Sequence, residues 1–176
     1  MNRKTLSSGI YFIADTGVLS DDRILSVTRA ALRGGVAMVQ LRAKSRPPSE
    51  VARLGAELLK VTRDFQAPLL INDLPQVALD IGADGAHVGE EDVPVRVARA
   101  MLGPQAIIGA TAKSAESVRR AETEGADYVA LGAFFPSPTK PDAERMSVAQ
   151  AQALAALTSL PICAIGGIDE TNIDQL

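Results

Sequence analysis

Residues 81–92 read IGADGAHVGEED, and this stretch has the organisation of one helix-to-strand unit. Gly82 stands where a helix would end in a left-handed residue. The short apolar segment Gly85–Val88 follows, and glycine and acidic residues come directly after it, ending at Asp92. The same order of helix end, glycine and apolar segment recurs at Arg33-Gly34-Gly35-Val36 and at Glu124-Gly125-Ala126-Asp127-Tyr128. The chain therefore repeats a unit in which a helix leads into a strand.

Outward from this stretch, short apolar segments alternate with segments of helical length. The predicted strands are Ile10–Ala14, Val36–Leu41, Pro68–Ile71, Gly85–Val88, Ala106–Ala110, Tyr128–Leu131 and Pro161–Ile165. The predicted helices are Asp22–Leu32, Ser49–Asp64, Leu74–Ile81, Pro94–Leu102, Ala115–Glu124 and Ser147–Leu157. Apolar character runs almost without interruption through each strand, which is typical of parallel strands covered on both faces. The alternation without a linker predicts a single α/β domain over residues 1–176.

Two architectures produce this alternation: an open doubly wound sheet and a (β/α)8 barrel. A dinucleotide-binding sheet would show a glycine-rich fingerprint after its first strand, but the sequence there is Asp15-Thr16-Gly17-Val18. Polar and glycine residues instead follow almost every strand. Because the strand ends of a barrel converge on one mouth, where barrel enzymes place their active sites, a TIM-type barrel is favoured.

The barrel pattern stops at seven βα units. After the seventh strand come Gly166-Gly167 and a predicted helix start at Asp169-Glu170-Thr171-Asn172, close to Leu176. One more βα unit, of roughly 30 residues, would complete the barrel. A C-terminally incomplete chain and closure supplied by a partner stay open as explanations, since exposed strand edges are usually covered.

Composition narrows the classes of partner. Hydrophobic residues make up 47% and the net charge is −3, so nothing attracts nucleic acid or an anionic membrane in general. Cys163 is the one cysteine, and no apolar stretch approaches the roughly 18 residues of a membrane span. The N-terminus has no signal-peptide pattern. We expect a cytoplasmic protein that acts on small molecules, and a homo-oligomer stays open.

Cations follow the second strand at alternating positions. A period of two places Gln40, Arg42 and Lys44 on the same side of this segment, so an amide and two cations should converge on the barrel mouth. An arginine fork beside a mobile lysine suits a pyrophosphate group. The alternative is a solvated surface stretch.

Carboxylates follow the third and fourth strands. Asn72 and Asp73 end the third strand, and Asp92 closes the polar stretch after the fourth. Two carboxylates at neighbouring strand ends could hold a Mg²⁺ ion whose other ligands are water and phosphate oxygens. Each aspartate could instead cap the helix that follows it. The capping prediction for Asp92 is paired with one for Ser147, which has Gln150 three residues on.

Two later loops complete the set of candidates. The loop Gly132–Pro141 contains three prolines and could present Ser137, Thr139 and Lys140 to an anion, or could simply be a rigid linker. Gly166-Gly167 resembles a phosphate seat at a helix N-terminus, or a tight turn. We interpret His87 as a histidine whose hydrogen bonds are satisfied rather than as a general base. Cys163 lies inside an apolar run and is predicted to belong to the core.

These segments, in this order, resemble the thiamine phosphate synthase family. The matching stretches are QLRAK (40–44), LLIND (69–73), GADGAHVGEED (82–92), IGAT (108–111), GADYVALGAFFPSPTKPDA (125–143) and AIGGI (164–168). They extend over nearly the whole chain. The resemblance implies a barrel transferase of thiamine biosynthesis that condenses a 4-amino-2-methyl-5-pyrimidinylmethyl diphosphate with a thiazole phosphate. It also implies Mg²⁺ as cofactor and a dissociative displacement, in which pyrophosphate leaves before the thiazole nitrogen attacks.

The resemblance also implies roles for individual residues. The substrate-binding residues would be Gln40, Leu41, Arg42, Ala43, Lys44, Asn72, Thr111, Ser137, Pro138, Thr139, Lys140 and Gly167. Among these, Arg42, Lys44, Thr111 and Lys140 would act in catalysis, and Asp73 and Asp92 would bind Mg²⁺.

The sequence departs from the family pattern at two positions. Ala43 stands where an acidic residue is common, and Lys113 stands where a histidine is frequent. The related thiazole tautomerase, in which that histidine is expected to transfer protons, is one alternative function. A catalytically silent phosphate-binding barrel is another.

Overall fold

The computed structural model describes residues 6, 8–137 and 144–176. Its strands are β1 (Tyr11–Asp15), β2 (Met38–Arg42), β3 (Leu69–Asn72), β4 (Gly85–Val88), β5 (Ile107–Thr111), β6 (Tyr128–Leu131) and β7 (Ile162–Ala164). Its helices are α1 (Asp21–Arg33), α2 (Pro48–Asp64), α3 (Pro75–Ile81), α4 (Val95–Leu102), α5 (Ala115–Thr123) and α6 (Val148–Ala155). The seven strands and six helices predicted up to Pro161–Ile165 are confirmed, with boundaries that differ by only a few residues.

The strands form one parallel sheet whose spatial order is the same as their order along the chain. Within the described residues the sheet has seven strands, and every neighbouring pair is parallel. In a flat sheet β1 and β6 would lie roughly 24 Å apart, at about 4.8 Å per strand spacing. The hydroxyl oxygens of Tyr11 in β1 and Tyr128 in β6 are nevertheless only 3.0 Å apart. The sheet therefore curls into the predicted barrel.

The curl separates an inner face of the sheet from an outer one. Met38, Leu70, Ile107 and Tyr128 form a buried cluster of strand residues alone, which identifies it as the barrel interior. The other two clusters combine strand residues with helix residues, as with Leu41 and Leu58, and so lie between the sheet and its helices. Because side chains alternate along a strand, Gln40 and Arg42 share the inner face with Met38.

Helix boundaries follow the expected capping chemistry in most places. Ser147 and Gln150 form a reciprocal capping box at the start of α6, as predicted. Gly35, Gly82 and Gly125 have φ values of 88°, 69° and 92°, which confirms the left-handed glycines at the helix ends.

Two predictions about helix starts are wrong: the capping of α4 and the helix after Ile168. Asp92 does not cap α4, which begins after Pro94 without a side-chain cap. Its carboxylate accepts instead from the backbone N–H of Gly89 at 2.8 Å, a local bond that competes with capping. In the described residues beyond Ile168, the predicted helix is replaced by a turn and a 3₁₀ segment, Ile173–Gln175. The turn is held by a hydrogen bond in which Asp169 N–H donates to Asn172 Oδ1 at 2.9 Å.

Among the residues that the structure describes, no helix combines the length and the apolar character that a membrane crossing requires.

The capping box of α6 gives a direct test of the helix boundary. Ser147 is exposed, so Ser147→Ala removes the side-chain acceptor for Gln150 N–H without opening a cavity. We expect it to lower the free energy of unfolding by about 1 kcal/mol, measured by urea denaturation. Ser147→Thr keeps a capping hydroxyl and should lie within a few tenths of a kcal/mol of the wild type. Equal losses in the two variants would contradict the assignment.

Candidate active site

Polar side chains gather where the carboxyl ends of the strands meet. Asp15, Arg42, Asn72 and Thr111 are the last residues of β1, β2, β3 and β5. Parallel pairing sets Asp15 beside Arg42 and brings Asn72 level with His87 of β4. The sheet therefore collects these side chains at one rim of the barrel, as expected for the active end of this fold.

Arg42 forms an ion pair with Asp15. Arg42 Nη1 lies 2.6 Å from Asp15 Oδ2, and the two side chains are only 16% and 9% exposed. The other Asp15 oxygen accepts from Gly17 N–H at 2.8 Å, which fixes the orientation of the carboxylate. A guanidinium has five N–H donors, so Arg42 can hold Asp15 and a phosphate group at the same time.

Lys44 reaches the carboxylate that follows β3. Its Nζ lies 3.0 Å from Asp73 Oδ2, and the lysine side chain is 48% exposed. Asp73 has φ 62°, a left-handed conformation that is uncommon for a residue other than glycine. The backbone N–H of Asp73 donates to His87 O at 2.8 Å, which holds the residue in this conformation. Such backbone positions cluster at functional sites.

Asp92 stands next to Asp73. The two carboxyl groups are close enough that each shifts the pKa of the other. Burial and the neighbouring Asp92 raise the pKa of Asp73, although Lys44 opposes the shift. Burial by itself would also raise the pKa of Asp92, but the neighbouring Asp73, the hydrogen bond from Gly89 N–H and the charge of Lys44 leave this pKa below the ordinary value.

The donor set suits a hard divalent cation. Asp73 and Asp92 offer two neighbouring carboxylates as oxygen ligands, and a cation between them would offset their mutual repulsion. Within residues 6, 8–137 and 144–176 no cluster of three His, Cys, Asp or Glu side chains could hold a metal by itself. Mg²⁺ binds with one or two carboxylates while water and phosphate oxygens fill its other positions. The residues present therefore fit Mg²⁺ better than a metal that needs a full protein cage.

Neither aspartate acts as a helix cap. The residue before α3 is Leu74, and no side chain caps that helix, so Asp73 is directed elsewhere. Asp92 is engaged by Gly89, as described above. The capping alternative to the metal site is therefore not observed for either residue.

The QLRAK stretch divides between the two faces of the sheet. Gln40 is 3% exposed and lies one layer below Arg42 inside the barrel, where its Nε2 donates to Tyr11 Oη at 2.5 Å. Leu41 and Ala43 belong to the buried cluster between sheet and helices. Their side chains point away from the mouth, so a contact of theirs with substrate would come from the backbone.

The loops after β6 and β7 pack against each other. Phe135 N–H donates to Gly166 O at 2.8 Å, and a Cβ on Gly167 would lie 2.4 Å from Pro136 O. The two glycines therefore permit a close approach of two backbones, and Ser137 follows Pro136 along the same loop. Pro138, Thr139 and Lys140 lie outside the described residues.

Three residues that contribute to this end of the barrel were not predicted from the sequence: Asp15, Tyr11 and Tyr128. Asp15 directly follows an apolar strand, as Asp73 does, and this shared position was the available signal. The tyrosines gave no comparable signal, because each lies inside an apolar run. His87 is satisfied as predicted, with ring nitrogens 2.9 Å from Tyr128 Oη and from Thr111 Oγ1.

Known proteins resemble this chain over almost its whole length. A family model described as thiamine monophosphate synthase matches residues 10–176. A thiamine-phosphate synthase of Methylococcus capsulatus is 44% identical over 171 residues, which cover 97% of this chain and 76% of that protein. One from Clostridium tetani is 34% identical over 176 residues, covering 100% and 84%.

A solved structure agrees with the fold as well as the sequence. The thiamine phosphate pyrophosphorylase from Pyrococcus furiosus superposes with a TM-score of 0.81 at 34% identity, covering 92% of this chain and 76% of that one. Sequence and structure thus point to the same group of proteins, and the chain belongs to the thiamine monophosphate synthase family.

Proposed function

We propose that this chain is a thiamine-phosphate synthase, a transferase that joins a pyrimidine diphosphate to a thiazole phosphate. One observation of the structure carries the proposal: Lys44 lies 3.0 Å from Asp73, so a phosphate-binding cation and a carboxylate suited to Mg²⁺ stand at the same point of the rim. Arg42 adds a second cation at this rim. The names of the relatives and their sequence identity to this chain support the same assignment.

The reaction needs a leaving group to be stabilised and two reactants to be aligned. The bond between the pyrimidine methylene carbon and the diphosphate oxygen breaks, and a bond forms from that carbon to the thiazole nitrogen. Arg42 and Lys44 would bind the departing pyrophosphate, whose negative charge grows as the bond breaks. Mg²⁺, held by Asp73 and Asp92, would neutralise part of the same charge.

The remaining residues would orient the reactants. Gln40, Asn72 and Thr111 would contact the pyrimidine diphosphate, while Ser137 and Gly167 would face the thiazole phosphate. The reaction requires no strong base, so catalysis depends more on the alignment of the two reactants. Holding them in the reactive orientation lowers the activation free energy by several kcal/mol relative to free collision. Four expectations from the sequence stay predictions. They are the roles of Pro138, Thr139 and Lys140, a single domain over residues 1–176, a homo-oligomer and a cytoplasmic location.

The function is tested by a synthesis assay. The chain is incubated with both substrates and MgCl₂, and thiamine phosphate and pyrophosphate are quantified by chromatography. We expect equimolar products, and their loss when excess EDTA is added. Isomerisation of a thiazole carboxylate phosphate without the pyrimidine substrate would favour the tautomerase. Binding of the diphosphate without turnover would favour the silent barrel.

The metal site is tested by Asp73→Asn. Without Mg²⁺ this change removes the repulsion between the two carboxylates, so the melting temperature should stay level or rise. Saturating Mg²⁺ and pyrophosphate should stabilise the wild type by several degrees and leave the variant almost unchanged, because ligands stabilise only the form that binds them. Differential scanning fluorimetry measures both effects.

Glu91→Gln is the matched control for this change. Glu91 lies in the same loop as Asp92, carries the same charge and is exposed. Its variant should keep the full response to Mg²⁺ and pyrophosphate. An undiminished response in Asp73→Asn would overturn the metal assignment.

A further inference from the structure

A chain of hydrogen bonds crosses the barrel interior below the rim. Thr111 Oγ1 lies 2.9 Å from His87 Nε2, and His87 Nδ1 lies 2.9 Å from Tyr128 Oη. Tyr128 Oη donates to Tyr11 Oη at 3.0 Å, and Gln40 Nε2 donates to the same Tyr11 oxygen. Five side chains from five strands are linked in this way. Two of them, Gln40 and Thr111, are residues that we assign to the pyrimidine substrate.

The direction of these bonds follows from counting protons. A phenol has one proton, and that of Tyr128 is donated to Tyr11. The contact between Tyr128 and His87 must therefore be a bond in which His87 Nδ1–H donates. In a neutral imidazole the other nitrogen is then an acceptor, so it receives the proton of the Thr111 hydroxyl. Thr111 is left with lone pairs, and no proton, for a ligand at the rim.

The surroundings of Tyr128 favour this arrangement over other rotamers. A Cβ on Gly109 of β5 would lie 2.0 Å from Tyr128 Cζ, so the glycine makes the space that the ring occupies. The rings of His87 and Tyr128 stack, with centroids 5.6 Å apart and planes inclined by 28°. Tyr128 is 2% exposed. Burial raises the pKa of both tyrosines, which keeps their hydroxyls protonated.

We propose that His87 is a positioning residue that fixes the Thr111 hydroxyl as a hydrogen-bond acceptor, and so selects a pyrimidine bearing an amino group over one bearing an oxo group. This inference rests on the proposed function, because it assumes that Thr111 contacts the pyrimidine ring. An exocyclic amino group would donate to the fixed lone pair. An oxo group in its place would oppose one lone pair to another and leave the acceptor lone pair of Thr111 without a donor.

The test compares the pyrimidine diphosphate with its 4-oxo analogue. KM is measured for the amino substrate, and the analogue's inhibition constant is measured as a competitive inhibitor. The ratio of inhibition constant to KM reports discrimination in binding, whereas a merely structural defect would weaken both ligands alike. In Tyr128→Phe, which removes one oxygen and keeps the ring, His87 can adopt either tautomer. We expect the ratio to fall about tenfold, the scale of one hydrogen bond.

Two further variants separate positioning from folding. His87→Leu frees the Thr111 hydroxyl and should lower the ratio at least as far as Tyr128→Phe does. His87→Gln keeps an acceptor near the position of Nε2 and should recover part of the discrimination. Thr28→Val removes a buried hydroxyl in α1, which donates to Ile24 O away from the rim, and should leave the ratio unchanged.

The outcomes also distinguish this inference from the proposed function. A wild type that forms no thiamine phosphate would contradict the function itself. An active wild type whose ratio is unchanged in folded Tyr128→Phe would overturn the inference and leave the function intact. A ratio that falls equally in Thr28→Val would also overturn it.

Discussion

The hydrogen bond between Tyr11 and Tyr128 joins two strands that are separated by four others in the sheet. This contact requires the sheet to be curled, and much of the structure depends on that curl. The two residues are 117 positions apart in the chain, and their hydroxyl oxygens are 3.0 Å apart. A flat sheet would spread its strand ends along an edge. Because the sheet is curled, the carboxyl ends of β1 to β6 face a common rim, and side chains distant in sequence can act on one substrate.

The rim is organised by pairing each cation with an acid. Arg42 is held by Asp15, while Lys44 is held by Asp73. Such pairs keep long cationic side chains in place before an anion arrives, so less conformational entropy remains to be lost on binding. The pairs differ in burial. The Arg42 pair is almost enclosed, whereas Lys44 is half exposed and can turn from the carboxylate to a phosphate oxygen.

Much of the fold could be predicted because it depends on local patterns. Continuous apolar runs gave the strands, and glycines at helix ends gave the boundaries. A period of two correctly grouped Gln40 with Arg42 on the inner face, but it could not show that Gln40 lies a layer deeper and bonds a tyrosine. The capping of α4 by Asp92 was predicted wrongly, because the nearby Gly89 N–H offered a closer donor.

The long-range contacts could not be predicted in the same way. The Asp15–Arg42 pair requires the register of β1 against β2, and the tyrosine contact requires the curl of the whole sheet. The left-handed backbone of Asp73 depends on its bond to His87 of the next strand. Such features follow from tertiary packing, which overrides local preference.

The central claim is that the ends of β2, β3 and β4 form one diphosphate and Mg²⁺ site. A crystal structure of the chain with Mg²⁺ and pyrophosphate tests this claim most directly. The account predicts Mg²⁺ bound to the carboxylates of Asp73 and Asp92, with pyrophosphate oxygens on the metal and on Arg42 and Lys44. Pyrophosphate bound away from this rim, or Mg²⁺ held by other side chains, would contradict it.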